Sequence, residues 1–88
     1  MNDKIVWITG ASSGIGEATA LRFAKEGWKV AVSARRVELL NKLAENENIY
    51  SYPLDITDNI KIKEVFENII KDLGKIDLCI FSSGTYER

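Results

Sequence analysis

The sequence predicts an α/β domain: a parallel sheet with helices packed on its faces. Three observations carry this. Short apolar runs alternate with amphipathic segments along the chain, the connections between them are only a few residues long, and a glycine-rich turn (ITGASSGIG, residues 8–16) joins the first apolar run to the first helix. Strands that alternate with helices pair in parallel through right-handed crossovers.

The elements follow in order. Residues 4–9 (KIVWIT) are a β-branched apolar run that stops at glycine, as a buried strand does. Residues 14–26 read as a helix, with Ile15, Ala18 and Leu21 on one line, Ala20, Phe23 and Ala24 beside it, and Gly27 as its C-cap. Residues 29–34 (KVAVSA) form a second buried strand, and 37–45 a second helix that turns Val37, Leu40, Ala44, Leu39 and Leu43 inward. Residues 49–54 (IYSYPL) are a weaker strand, and Pro53, which cannot donate to a ladder, marks it as an edge. Thr57 or Asp58 caps a third helix over 59–73, where Ile62, Val65, Phe66, Ile69, Ile70 and Leu73 recur at helical spacing before Gly74. Residues 76–81 (IDLCIF) are a fourth strand, followed by the turn Ser82-Ser83-Gly84.

Composition narrows the function. At 88 residues the chain is one small domain, its net charge of −1 comes from evenly scattered charges, and no basic stripe points to nucleic acid. No apolar run approaches a membrane span of about 20 residues. The N-terminus lacks the pattern of an export signal, and the single cysteine, Cys79, allows no internal disulfide, so a reducing cytoplasm is expected. Cys79 itself reads as a small buried hydrophobe. The chain has no histidine, which excludes histidine-based acid–base catalysis and most zinc sites. Trp7 and Trp28 read as packing residues, as do Tyr50 and Tyr52 on the third strand.

The glycine turn has a chemical reading. The first N–H groups of a helix lack internal partners and face outward, and the helix dipole adds positive charge at the same end. Gly10 permits the sharp exit from the strand. Gly14 and Gly16 leave room for a pyrophosphate to approach the backbone and for the helix to pack on the strand, and Ser12 and Ser13 add hydroxyl donors. A tight strand–helix turn with no ligand would use the same glycines. Gly16 is followed by Glu17, not by Lys-Ser/Thr, so this is not an ATP-type P-loop. The second strand ends Ser33-Ala34-Arg35-Arg36. An acidic residue at the place of Ala34 would bind the ribose hydroxyl of NAD; an arginine beside that place can grip a 2′-phosphate, so Arg35 and Arg36 favour NADP over NAD, although two solvated charges flanking a helix start would read the same.

Thr-Gly-x-x-x-Gly-x-Gly after a strand resembles the cofactor signature of the short-chain dehydrogenase/reductase family, and the resemblance runs from about Lys4 to Gly84. It implies a Rossmann-like three-layer fold with strand order 3-2-1-4, a truncated doubly wound sheet, and a cofactor site that includes Ile15 beside the loop glycines. It further implies that Asp55 accepts a hydrogen bond from the adenine amino group, with Leu54 and Ile56 near the ring. Where the family usually has Asn-Asn-Ala-Gly after the fourth strand, this chain has Phe81-Ser82-Ser83-Gly84; the serines can still bond backbone or a ribose hydroxyl. By the same resemblance the chemistry is hydride transfer between NADP(H) and an alcohol or carbonyl substrate. It is carried by a serine, a tyrosine and a lysine four residues after that tyrosine.

No Tyr-x-x-x-Lys occurs here: Tyr50 is followed by Leu54, Tyr52 by Ile56, and Tyr86 lies two residues from the last. The expectation is therefore that residues 1–88 are the N-terminal, NADP-binding part of a longer oxidoreductase and turn over no substrate alone. The other reading is a non-catalytic nucleotide-binding or interaction module complete at residue 88. A flavodoxin-like phosphoacceptor at Asp55 lacks the acidic pair that Mg²⁺ would need, and the loop spacing of sugar-nucleotide epimerases differs. In the order 3-2-1-4 the fourth strand is an edge, yet it is apolar on both faces, which predicts self-association through 76–81.

Overall fold

The computed structural model describes residues 4–11, 14–55 and 57–81. The elements are β1 (Ile5–Thr9), α1 (Gly14–Lys25), β2 (Lys29–Ser33), α2 (Val37–Leu43), β3 (Ile49–Ser51), α3 (Asn59–Asp72) and β4 (Leu78–Phe81). All four strands lie in one parallel sheet in the order β3-β2-β1-β4. The predicted fold class and strand order are those observed.

Crossover handedness explains the layers. From β1 to β2 to β3 the chain steps in one direction, so α1 and α2 cover one face. From β3 to β4 it steps back past β1, and a right-handed return puts α3 on the other face. The two cores reflect this. Val6, Ile8, Val30, Val32 and Ile49 pack against Ala20, Leu40 and Leu43. Ile5, Trp7 and Ala31 pack with Leu54, Val65 and Ile69. Alternate residues of β1 thus feed opposite cores, and all five are buried.

The helices are rotated relative to the sequence reading. In α1 the buried positions are Gly16 and Ala20, with Phe23 and Ala24 packed beside them. The predicted line of Ile15, Ala18 and Leu21 faces outward, Ile15 being 77% exposed. Gly16 sets this rotation: a Cβ there would lie 2.6 Å from the Gly10 carbonyl oxygen and 2.8 Å from Ala11 Cα, so the helix backbone rests directly on the turn. In α2 Leu40 and Leu43 are buried while Val37 and Leu39 are exposed, and in α3 Phe66 and Ile70 are exposed beside buried Val65 and Ile69. Asp58, not Thr57, caps α3, accepting from Ile60 N–H and Lys61 N–H at 3.1 Å each.

The two edges differ from their predicted extents. β3 ends at Ser51, but Tyr52 N–H and Leu54 N–H still donate to the carbonyls of Val32 and Ala34 at 2.8 and 3.1 Å. Pro53 falls between these donors, at a position with no ladder bond to lose, as its edge assignment requires. β4 begins at Leu78; the preceding Asp77 instead clamps β1, its N–H donating to Ile5 O at 2.8 Å and its Oδ2 accepting from Ile5 N–H at 2.9 Å. Cys79 is exposed on β4, contrary to its reading as a buried hydrophobe, because no described element covers that side of the strand.

Candidate functional site

In an open parallel sheet, ligands bind beyond the carboxyl ends of the strands where strand order reverses. Here that place is the end of β1. Gly10 leaves the strand at φ 74°, in the region glycine adopts without strain. The turn is held from the neighbouring strand, since Gly10 N–H and Ala11 N–H both donate to Ser33 O, at 2.8 and 3.2 Å. α1 then starts at Gly14 with its N-terminus directed at the same end of the sheet.

A cavity of about 190 Å³ opens there, lined by Thr9, Gly10, Ser33, Ala34, Arg35, Arg36 and Leu54. It brings together the predicted Gly10, Arg35 and Arg36. A second cavity, of about 500 Å³, shares Arg35 and Leu54 with it and adds Pro53, Asp55, Asp58 and Lys61. The two form a track from the glycine turn past the ends of β2 and β3. Its first part has two guanidinium-bearing residues and no carboxylate among its lining residues, so its electrostatics favour an anion. Glu17, in the first turn of α1, lines a separate groove with Ala11, Leu39 and Lys42.

Each predicted residue has a definite place. A side chain at Gly14 would meet nothing within 4 Å, and Gly14 and Ile15 are both exposed. Gly16 is buried and serves helix packing. Arg36 is the N-cap residue of α2 and makes no side-chain cap bond, so its guanidinium is not spent on that helix. Asp55 opens a turn: its Oδ1 accepts from Thr57 N–H at 3.0 Å and from Thr57 Oγ1 at 2.7 Å. Those two bonds hold its carboxyl below the usual carboxylate range, and the charge of Arg35 adds to the effect. Ser12, Ser13, Ile56, Ser82, Ser83 and Gly84 lie outside the described residues.

Two lining residues were not singled out as site residues from the sequence. Thr9 is buried, and its Oγ1 has no partner among the described residues. Ser33 is 1% exposed, and its Oγ accepts from Trp7 Nε1–H at 2.9 Å. The available signal was the polar residue that closes each apolar run, which reads equally as a strand terminator.

The comparisons agree with this geometry. A model of the short chain dehydrogenase family matches residues 4–88. The chain is 36% identical over 97 aligned positions to "Dehydrogenase/reductase SDR family member 7" of Mus musculus, covering 100% of this chain and 29% of that protein. It is 39% identical over 89 positions to the 3-oxoacyl-[acyl-carrier-protein] reductase FabG of Thermotoga maritima, covering 96% and 36%. Among solved structures, a 3-ketoacyl-(acyl-carrier-protein) reductase from Brucella melitensis, complexed with NADH, superposes with a TM-score of 0.82. It is 32% identical and covers 86% of this chain and 32% of that one. The chain belongs to the short chain dehydrogenase family of oxidoreductases. It spans about a third of the length of the relatives it matches.

Proposed function

We propose that residues 1–88 form the NADP-binding part of a short-chain oxidoreductase that transfers hydride between NADP(H) and an alcohol or carbonyl substrate. The observation that carries this reading is the track at the strand ends. It runs from a glycine turn and helix N-terminus, past Arg35 and Arg36, to Asp55, with no acidic residue lining the part nearest the turn.

The residues present fit the cofactor. The backbone of Gly10 and Gly14 and the start of α1, with Ser12, Ser13, Ile15 and Gly16, would hold the pyrophosphate. Thr9 lines the same wall, its buried hydroxyl without a partner among the described residues. Arg35 and Arg36 would take the 2′-phosphate, and Asp55 and Ile56 the adenine. Ser82, Ser83 and Gly84 would flank a ribose. When bound, the nicotinamide supplies the hydride; these residues bind and orient it. The NADH complex of the Brucella reductase supports a dinucleotide ligand, and the arginine pair supports the phosphorylated one.

Proton transfer to the substrate oxygen is assigned to no residue here, because the 88 residues contain no Tyr-x-x-x-Lys and no histidine. Turnover is expected to be undetectable for this chain alone, and a small-molecule substrate is a partner only of a longer form. The same reading implies cytoplasmic residence; no helix among the described residues is long and apolar enough to cross a membrane. It also implies self-association through the exposed β4.

The test is calorimetric titration with both cofactors. Arg35→Ala should weaken NADPH by about 10–100-fold, the weight of a lost charge-assisted contact, and change NADH by less than about twofold. Equal losses for both cofactors would refute the 2′-phosphate role.

A further inference from the structure

Ser33 stands at a junction. Its carbonyl accepts the N–H groups of both Gly10 and Ala11, its hydroxyl accepts the indole N–H of Trp7, and two residues further on the chain reaches Arg35. Trp7 and Ser33 are 3% and 1% exposed, so the bond between them is dry. Trp7 is also fixed from outside, with the Phe66 ring of α3 6.2 Å away, centre to centre.

A serine at this position is not what packing alone would select. Val30, Ala31 and Val32 precede it and Ala34 follows, all buried and apolar. An alanine opposite a phenylalanine would bury no polar group there, at the cost of a slightly smaller side-chain volume. What the polar pair adds is direction. A hydrogen bond of 2.9 Å between two buried side chains fixes where the end of β2 sits relative to β1. That relation is also the spacing between the glycine turn and Arg35.

We propose that Trp7 is a positioning residue of the dinucleotide site. Through Ser33 it sets the distance between the pyrophosphate-binding turn and the 2′-phosphate-binding arginine. The inference rests on the cofactor reading above. A ligand that spans both anchors depends on their spacing, whereas a ligand that uses one anchor does not.

The experiment uses the chain labelled with nitrogen-15. Its two indole N–H resonances, from Trp7 and Trp28, serve as site reporter and internal control. Trp28 packs edge-on against Phe23 just before the opposite end of β2, away from both cavities. NADPH should shift the Trp7 resonance and leave that of Trp28 in place. Trp7→Phe should weaken NADPH by about tenfold, with 2′-AMP and inorganic pyrophosphate each changing by less than about twofold. The double variant Trp7→Phe/Ser33→Ala removes donor and acceptor together. It should melt within about 5 °C of the parent while showing the same selective loss, which keeps the test decisive if the single variant folds poorly.

Loss of all three ligands in equal proportion, or unchanged NADPH binding in both variants, would overturn the positioning role. A well-dispersed parent spectrum that responds to neither NADPH nor 2′-AMP would instead overturn the cofactor reading, and this inference with it.

Discussion

The two edges of the sheet are built differently. β3 is three residues long, carries Pro53 just beyond it, and is tied to α3 by Tyr52, whose hydroxyl donates to Asp72 Oδ2 at 3.0 Å. β4 has the sequence LCIF with Leu78, Cys79 and Phe81 exposed, Phe81 at 64%. An edge strand is a template for pairing unless it is short, polar, interrupted or covered. β3 has its length and Pro53 as protections; β4, one residue longer, has neither a proline nor a charged residue in its span. One edge of this sheet is finished by its own sequence, whereas the described residues leave the other exposed.

The centre that both edges share sets the largest expected effect. Gly16→Ala would drive a Cβ to 2.6 Å from the Gly10 carbonyl and should cost about 2–4 kcal/mol in urea melts. Gly14→Ala meets nothing within 4 Å and should be neutral or stabilising by up to about 1 kcal/mol through helix propensity. Its expected cost lies in NADPH affinity, where the new methyl stands between backbone and pyrophosphate. Similar stability losses for the two would show that α1 does not rest on the turn.

The edges can then be set against each other directly. Phe81→Lys should weaken self-association by about 30-fold or more in sedimentation equilibrium, since a charge on an open edge opposes strand pairing. Tyr50→Lys, placed on β3, should change it by less than about twofold on the same grounds. If both act alike, the asymmetry is not functional. Cys79 offers an independent reading, because its labelling by a thiol reagent should slow as protein concentration rises.

The smallest effect concerns the tie on the protected edge. Burial, and then the Asp72 carboxylate, push the Tyr52 hydroxyl up to about 12. A raised folded-state pKa gives a stabilising contribution that is fully present below the ordinary value of about 10 and lost as pH climbs through about 12. Tyr52→Phe should therefore cost about 0.5–1 kcal/mol at neutral pH and flatten the decline in stability between roughly pH 10 and 12. An unchanged alkaline profile would mean that the hydroxyl bears none of the edge's stability.

Most of the architecture was legible because strand and helix periods differ and glycines punctuate them. Gly27 and Gly74, both at positive φ, end their helices as expected. The rotation of α1 was not legible, since glycine at position 16 has no hydropathy to signal that it faces inward. At the site, the loop glycines, Arg35 and Asp55 could be found from spacing. Thr9 stands in the Thr-Gly-x-x-x-Gly-x-Gly signature but, like Ser33, carried no assigned role, because one hydroxyl residue at a strand end looks the same whether it terminates the strand or serves the cavity. Cys79 was misjudged because an apolar run such as LCIF reads as interior wherever the sheet ends.

The clamp of Asp77 on Ile5 joins residues 72 apart, and β1 acquires its second neighbour only when β4 arrives. At a synthesis rate of roughly 5–20 residues per second, the stretch between β2 and β4 takes roughly 2–10 s to make. For that interval the strand at the centre of the finished sheet is itself an open edge. The nascent chain thus leaves the β4-facing side of IVWIT open to the cell until β4 is made, a window in which a chaperone has something to hold.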